Sequence, residues 1–316
     1  MPAISTGKVL VSGANGYIAV WVVRTLLEHG FSVRGAVRSA DKGKHLDKLF
    51  APYGDRFERI TVPDITQDGA FDEAVKGVDA IEHTASPFHM KADDPAELLD
   101  PAVKGTVGIL ESARKFGTSV KRVVVTSSTA AVINSSPEPQ VLSELNWNDH
   151  DVKEVEEKGR AAAPGVKYRA SKSLAERAAW DFAKKYQGEI GWDLSVLNPP
   201  WVFGPTIHEV STPDGLNASA HLMYEALTKP GVAAGAGGAC WVDVRDLALA
   251  HVRALQKEAA GAERIIVSAG PFSWQDWREW FILLNSPFRT RRLFTPRDEA
   301  FRALVYFPFP SIETVY

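Results

Sequence analysis

The sequence holds one cysteine, Cys240, among 316 residues. No disulfide can form within the chain, which excludes a bridged secreted scaffold and permits a reducing compartment. A basic excess is also missing. With 36 Lys and Arg against 39 Asp and Glu the formal net charge is −3, and nothing asks for a nucleic-acid partner. No apolar run is long enough to span a bilayer, so no membrane partner is expected. The stretch from Met1 to Gly7 has neither a basic start nor an apolar core, so no signal peptide is read and a soluble, cytoplasmic protein is expected. His, Cys and carboxylates nowhere adopt a metal-ligand spacing, so no metal is expected. Internal repeats and low-complexity linkers are absent too. What is present is ordinary globular composition, 45% hydrophobic and 24% charged, enough for one large domain with or without a smaller lobe.

Lys8 to Ser12 is a short β-branched run that stops at Gly13, and a helical pattern follows through Ile18, Val22, Val23, Leu26 and Leu27 to a cap at His29-Gly30. Further strands are read at Phe31–Val37, Phe57–Val62, Val78–His83, Val123–Thr126 and Leu194–Leu197, with helices over Pro95–Phe116 and Val166–Tyr186. Strands alternating with helices predict an α/β fold, a doubly wound parallel sheet covered on both faces. After Pro199-Pro200 the pattern loosens. This predicts a nucleotide-binding domain over 1–198 and a smaller C-terminal lobe over 199–316, with about 240–256 returning to the main domain. The small-residue run Val232–Gly238 reads as a loop.

The first strand runs into Gly13-Ala14-Asn15-Gly16-Tyr17-Ile18-Ala19 and then the helix. Glycine lets backbone approach a pyrophosphate that a Cβ would obstruct. A helix N-terminus supplies free N–H groups and positive potential for the phosphates. A bare strand-to-helix turn without a ligand is the competing reading of this spacing. The flanking strand and long helix favour the nucleotide site of a Rossmann sheet, with Gly13, Asn15, Gly16, Tyr17 and Ile18 at the phosphates. The second strand ends Val37-Arg38-Ser39 with no carboxylate at its tip, and Lys42 lies one turn farther on. Arg38 and Lys42 there favour NADP(H), whose 2′-phosphate needs a cation, although Asp41 is close enough to serve the ribose of NAD.

Thr126-Ser127-Ser128 closes the fifth strand, where ligands of open α/β sheets bind. Tyr168 and Lys172 lie i, i+4 on one helical face. A phenol is a poor acid or base at neutral pH, and a neighbouring ammonium and a positive nicotinamide would lower its pKa. Tyr168 is then the proton donor to a carbonyl oxygen, while Ser128 holds that oxygen by a hydrogen bond. A lone Y-x-x-x-K is a weak signal; combined with the glycine turn and the strand-end serine, in this order, it is a strong one. His83, at a strand end, reads as a hydrogen-bonded structural residue rather than a base.

At these residues the chain resembles the extended short-chain dehydrogenase/reductases, in the branch of the dihydroflavonol and cinnamoyl-CoA reductases. Within that branch it is most like the fungal NADPH-dependent methylglyoxal, aldehyde and ketone reductases. The likeness is carried by Val11–Ile18, Val62–Ile65, His83–Phe88, Pro101–Gly105, Arg122–Ser128, Tyr168–Lys172, Asn198–Pro205 and Val242–Asp246. The resemblance implies a small carbonyl compound as substrate and NADP(H) as cofactor. It also implies that Asp64 and Ile65 contact adenine, that Thr84 and Ala85, with Ser86 beside them, line the cofactor, and that Pro199 and Val202 flank the nicotinamide. Phe88, Thr129 and Trp201 would shape the substrate pocket, although Phe88 and Trp201 also read as plain core aromatics.

Two other functions fit the same residues. One is a nucleotide-sugar epimerase or dehydratase, which shares the Ser, Tyr and Lys but would need a lobe able to hold a nucleotide diphosphate. The other is a non-catalytic NADP-binding sensor, which would have no need of the whole triad. From about Phe281 the resemblance fails; in the tail 281–316, Pro308 and Pro310 break helix and ladder bonding, and Phe301, Leu304, Val305, Tyr306 and Phe307 follow no sustained period. An altered reading frame or splice form is one expectation for it; a diverged tail that still packs on the lobe is the other.

Overall fold

Val9, Leu10 and Val11 are fully buried in the central strand β1 (Lys8–Ser12) of the computed structural model, which describes residues 3–86, 92–134, 140–228 and 238–284. The chain then alternates through α1 (Tyr17–Glu28), β2 (Ser32–Val37), α2 (Ala40–Phe50), β3 (Phe57–Thr61), β4 (Ala80–His83), α3 (Ala96–Phe116) and β5 (Arg122–Thr126). Helices α4 (Asp149–Lys158) and α5 (Pro164–Lys185) lead to β6 (Asp193–Asn198) and β7 (Trp201–Phe203). After them come α6 (Ala218–Thr228), β8 (Gly238–Asp243), α7 (Val244–Gln256), β9 (Arg264–Ile266), β10 (Gly270–Ser273) and α8 (Trp274–Leu284).

Seven strands form one parallel sheet in the order β3-β2-β1-β4-β5-β6-β9. Strand parity divides the core. Val9, Val11 and Val124 pack on one face with α1 and α7, while Leu10, Val123 and Val125 pack on the other with α3 and α5. Hydrophobic residues on both faces are what a sheet covered by two helical layers requires. Ser12 pairs with Ala36 of β2 on one side and His83 of β4 on the other. The chain therefore reverses its direction of strand addition at β1, and the crevice beyond the carboxyl ends of β1 and β4 is where such sheets hold ligands. At the amino ends of β5 and β6 Arg122 forks onto Asp193 with both side chains buried, and it also donates to the carbonyls of Ala254 and Lys257. That fork ties the end of α7 to β5 and β6 with every buried charge partnered.

A second sheet, β10-β8-β7, stands after β6, with β7 parallel and β10 antiparallel to β8. Its core is aromatic: Phe203 lies edge-on to Phe272, Trp274 and Trp277 at centroid distances of 5.7, 6.0 and 4.8 Å. Three departures from the sequence reading follow. Gly238 opens β8 rather than closing a loop, while 232–237 lie outside the described residues. β9 adds a seventh main strand where none was expected, because three residues are too few to show a period. Helix α8 continues past Phe281 to Leu284, and the rest of the atypical tail, 285–316, lies outside the described residues. Among the described residues no helix is long and apolar enough to cross a membrane.

Candidate active site

The turn after β1 is built for close approach. Gly13 has φ +64°, and a Cβ on it would lie 3.1 Å from the Cα of Ala85. The Gly16 N–H donates to the Gly13 carbonyl at 2.8 Å and closes the turn, and Gly16 is the N-cap of α1. The N–H groups of Tyr17 and Ile18 lie in the first turn of α1, where a helix leaves donors without intrahelical partners for an anion, and both residues line the cleft beside this turn. Asn15 is half-buried in the same turn. This glycine cradle is one into which a pyrophosphate fits and a side chain does not. Ser12 holds the next strand against it: its Oγ accepts from the backbone N–H groups of Thr84 and Ala85, both at 3.0 Å, and bonds His83 Nδ1 at 2.9 Å. Burial, aided by the charge of Lys172, pushes His83 down to about 3, so it is a neutral, hydrogen-bonded strand residue and no base.

A cleft of about 470 Å³ opens beside the turn. It is lined by Gly13, Gly16, Tyr17 and Ile18 from the loop, by Thr84 and Ser86 after β4, and by Ser128 and Thr129 after β5. Tyr168 and Lys172 reach it from α5, and Pro199, Trp201 and Val202 from the end of β6 and from β7. Residues spread over nearly two hundred positions thus meet at one end of the sheet. Ser128 caps a short helical turn by accepting from Ala130 N at 3.1 Å, and it hydrogen-bonds the Tyr168 hydroxyl. The Lys172 ammonium lies 6.0 Å from the centre of the Tyr168 ring. Burial pushes Tyr168 up to about 12 against the Ser128 hydrogen bond, and pushes Lys172 down to about 8 against the charge of Glu176. The expected lowering of the tyrosine is not seen: desolvation of the anion is the larger influence, and the Ser128 hydrogen bond opposes it.

The remaining expected residues lie apart from this cleft. Arg38 and Lys42 are exposed at the tip of β2 and in the first turn of α2. Asp64 is exposed after β3; hydrogen bonds from the Thr66 backbone and hydroxyl hold its carboxyl below the usual value, and the charge of Arg38 adds to this. Ile65 packs on α3 where a Cβ at Gly105 would come within 2.8 Å of its Cδ1. Ala85 lines a smaller void behind the cleft, and Phe88 lies outside the described residues. The Tyr17 side chain is buried and its hydroxyl donates to the Gly204 carbonyl at 3.0 Å, which leaves its backbone N–H for a phosphate. Trp21 Nε1 likewise donates to the Pro205 carbonyl at 2.8 Å, and His45 Nε2 contacts that of Ile207.

Several lining residues had no sequence signal. Gly165, three residues before Tyr168 on α5, was within reach of the helical-face argument, whereas Arg169 is next to Tyr168 and off that face, and Asn217, Ala218 and Ser219 arrive at the cleft only through the packing of α6. His150, Asp151 and Glu154 come together with ligand atoms within 4.8 Å, a cluster the sequence reading did not foresee. Asp151 is already bonded by Arg169 and Asn148, so a cation there would compete with a guanidinium.

A glycine turn at the switch point of a parallel sheet defines the class: an α/β protein that holds a dinucleotide. The pattern of the NAD dependent epimerase/dehydratase family matches residues 9–270, and the chain belongs to that family. A ketoreductase of Aspergillus niger is 40% identical over 84% of this chain and 79% of its own length. A putative NADPH-dependent methylglyoxal reductase of Candida albicans is 39% identical over 86% of this chain and 81% of its own. The structure of Gre2 from Candida albicans in complex with NADPH has a TM-score of 0.79 at 36% identity, covering 89% of this chain and 83% of that one.

Proposed function

We propose that this protein is an NADP(H)-dependent reductase of small aldehydes or ketones, with Ser128, Tyr168 and Lys172 as its catalytic residues. The observation that carries the reading is the convergence of those three side chains on the cleft that also contains the glycine turn. Bound NADPH supplies the hydride that reaches the carbonyl carbon. Tyr168, protonated throughout the neutral range, donates its proton to the carbonyl oxygen. Ser128 donates a hydrogen bond to the same oxygen and stabilises negative charge as it develops. Lys172, largely ammonium at neutral pH, stabilises the phenolate left behind. Arg38 and Lys42 take the 2′-phosphate, and Asp64 and Ile65 take the adenine. Thr84, Ala85 and Ser86 line the cofactor, with Pro199 and Val202 beside its nicotinamide. Thr129 and Trp201 shape the substrate side of the cleft, and the described residues after 199 form the substrate lobe, apart from α7 and β9, which join the main sheet and its helices.

The names of the similar fungal proteins support carbonyl reduction over sugar-nucleotide chemistry. The test is NADPH oxidation by the purified protein against a panel of aldehydes, ketones and diketones. Turnover of several members is expected. A protein that binds NADPH tightly yet oxidises it with no carbonyl, while binding UDP-sugars, would end the reading.

A further inference from the structure

We propose that Glu176 is a positioning residue of this site: one buried carboxylate holds the backbone around Ser128 and keeps the Lys172 side chain charged. The inference rests on the assignment of Ser128, Tyr168 and Lys172 made above. Glu176 follows Lys172 by four residues and Tyr168 by eight, so all three share one face of α5. It is 1% exposed. One oxygen accepts from the Ser127 hydroxyl and from Asn198 Nδ2, the latter at 2.8 Å. The same Asn198 amide donates to the Ser128 carbonyl at 3.1 Å. The other oxygen accepts from Arg264 Nε of β9 and, at 3.5 Å, from Trp180 Nε1. Ser128 is thereby gripped on both sides of its peptide, through the preceding residue and through its own carbonyl, by donors that end on one carboxylate.

The second role follows from where Lys172 is. Lys172 and Glu176 line the same void of about 10 Å³, together with His83, Thr106, Thr126 and Ser127. The titratable groups facing the ammonium are Tyr168 and Glu176 from α5 and the neutral His83 from β4; β5 and α3 offer only hydroxyls. Glu176 is thus the anion beside Lys172, and its field opposes the burial that drives the ammonium toward neutrality. Arg264 meets the far oxygen, its guanidinium resting 3.7 Å from the centre of the Trp147 ring. A buried carboxylate is costly to desolvate, and here the cost is met by Arg264, Ser127 and Asn198.

The experiment compares Glu176→Gln and Glu176→Asp with wild type, and adds Glu176→Gln/Arg264→Met, which removes the unpaired guanidinium should the single variant fold poorly. Competitive acetylation read by mass spectrometry across pH titrates Lys172 in the NADPH-bound protein without any carbonyl. The alkaline limb of kcat/KM reads the same group in turnover. In Glu176→Gln the Lys172 titration should move to lower pH by roughly one unit or more, the loss of a nearby opposite charge, and the alkaline limb should follow it; in the double variant, which also loses the Arg264 charge, the shift should keep its direction and be smaller. Glu176→Asp keeps the charge and shortens the reach, so the titration should stay near that of wild type while kcat falls. A folded Gln variant whose Lys172 titrates as in wild type would overturn the proposal, because a merely structural carboxylate would lower stability and leave that titration unmoved. If wild type reduces no carbonyl, the functional reading falls and the acetylation still decides this one.

Discussion

The seven-stranded sheet and the three-stranded sheet meet at the cleft but are held together by different forces. Around the main crevice the polar groups are fixed by directed bonds: Ser12 bridges the glycine turn to β4, and Glu176 collects donors from β5, β6 and β9. The small sheet has short strands and a core of rings, with Phe203 among Phe272, Trp274 and Trp277. Directed bonds fix distances to tenths of an ångström, which proton transfer requires. Ring contacts prefer edge-on and offset geometries, and they fill the core of the small sheet. The proposed chemistry thus lies with the half fixed by directed bonds, and the proposed substrate wall borders the half packed by rings.

The sharpest way to break that division is Tyr168→Phe. It should lower kcat by about 10²–10⁴, the usual worth of a general acid, with NADPH affinity and melting temperature close to wild type. Near wild-type turnover would take Tyr168 out of the chemistry. Phe203→Ala attacks the other half. Truncating a buried phenylalanine costs about 3–5 kcal/mol, and denaturant unfolding should show that loss while NADPH binding to the folded protein persists. A matching loss of NADPH affinity would show that the two halves are one unit. Arg38→Ala should weaken NADPH by about 1.5–3 kcal/mol, roughly 10- to 100-fold, and NADH hardly at all, since only the former has the 2′-phosphate. Calorimetry giving equal losses for both cofactors would remove that role. Trp201→Ala should change the ratio of kcat/KM between bulky and small carbonyls by about 1–3 kcal/mol, the range hydrophobic pockets achieve. An unchanged ranking across the substrate panel would return Trp201 to the core.

Legibility in the sequence follows the same boundary. The six expected main strands, the helix after the glycine turn and the Tyr168–Lys172 face were readable because each is a local pattern: a β-branched run, a glycine at a forced φ, an i, i+4 pair. β7, β9 and β10 were not, since three or four residues hold no period and their pairing partners lie far off in the chain. Glu176 looked like any carboxylate on a helix, because its donors Ser127, Asn198 and Arg264 come from three other strands. The place of the Tyr17 ring was not legible for a related reason. The motif marks the backbone position, but the ring's destination depends on Gly204, which lies 187 residues away.

That destination has a consequence for how such a chain is inherited and recombined. The helix that opens the nucleotide site also ties down the strand exit leading to the substrate wall, through Tyr17 on Gly204 and Trp21 on Pro205. Both acceptors are main-chain carbonyls, so the donors stay with the host when a lobe is exchanged after β6. What an incoming lobe must bring is a backbone path that offers two carbonyls where Tyr17 and Trp21 already reach.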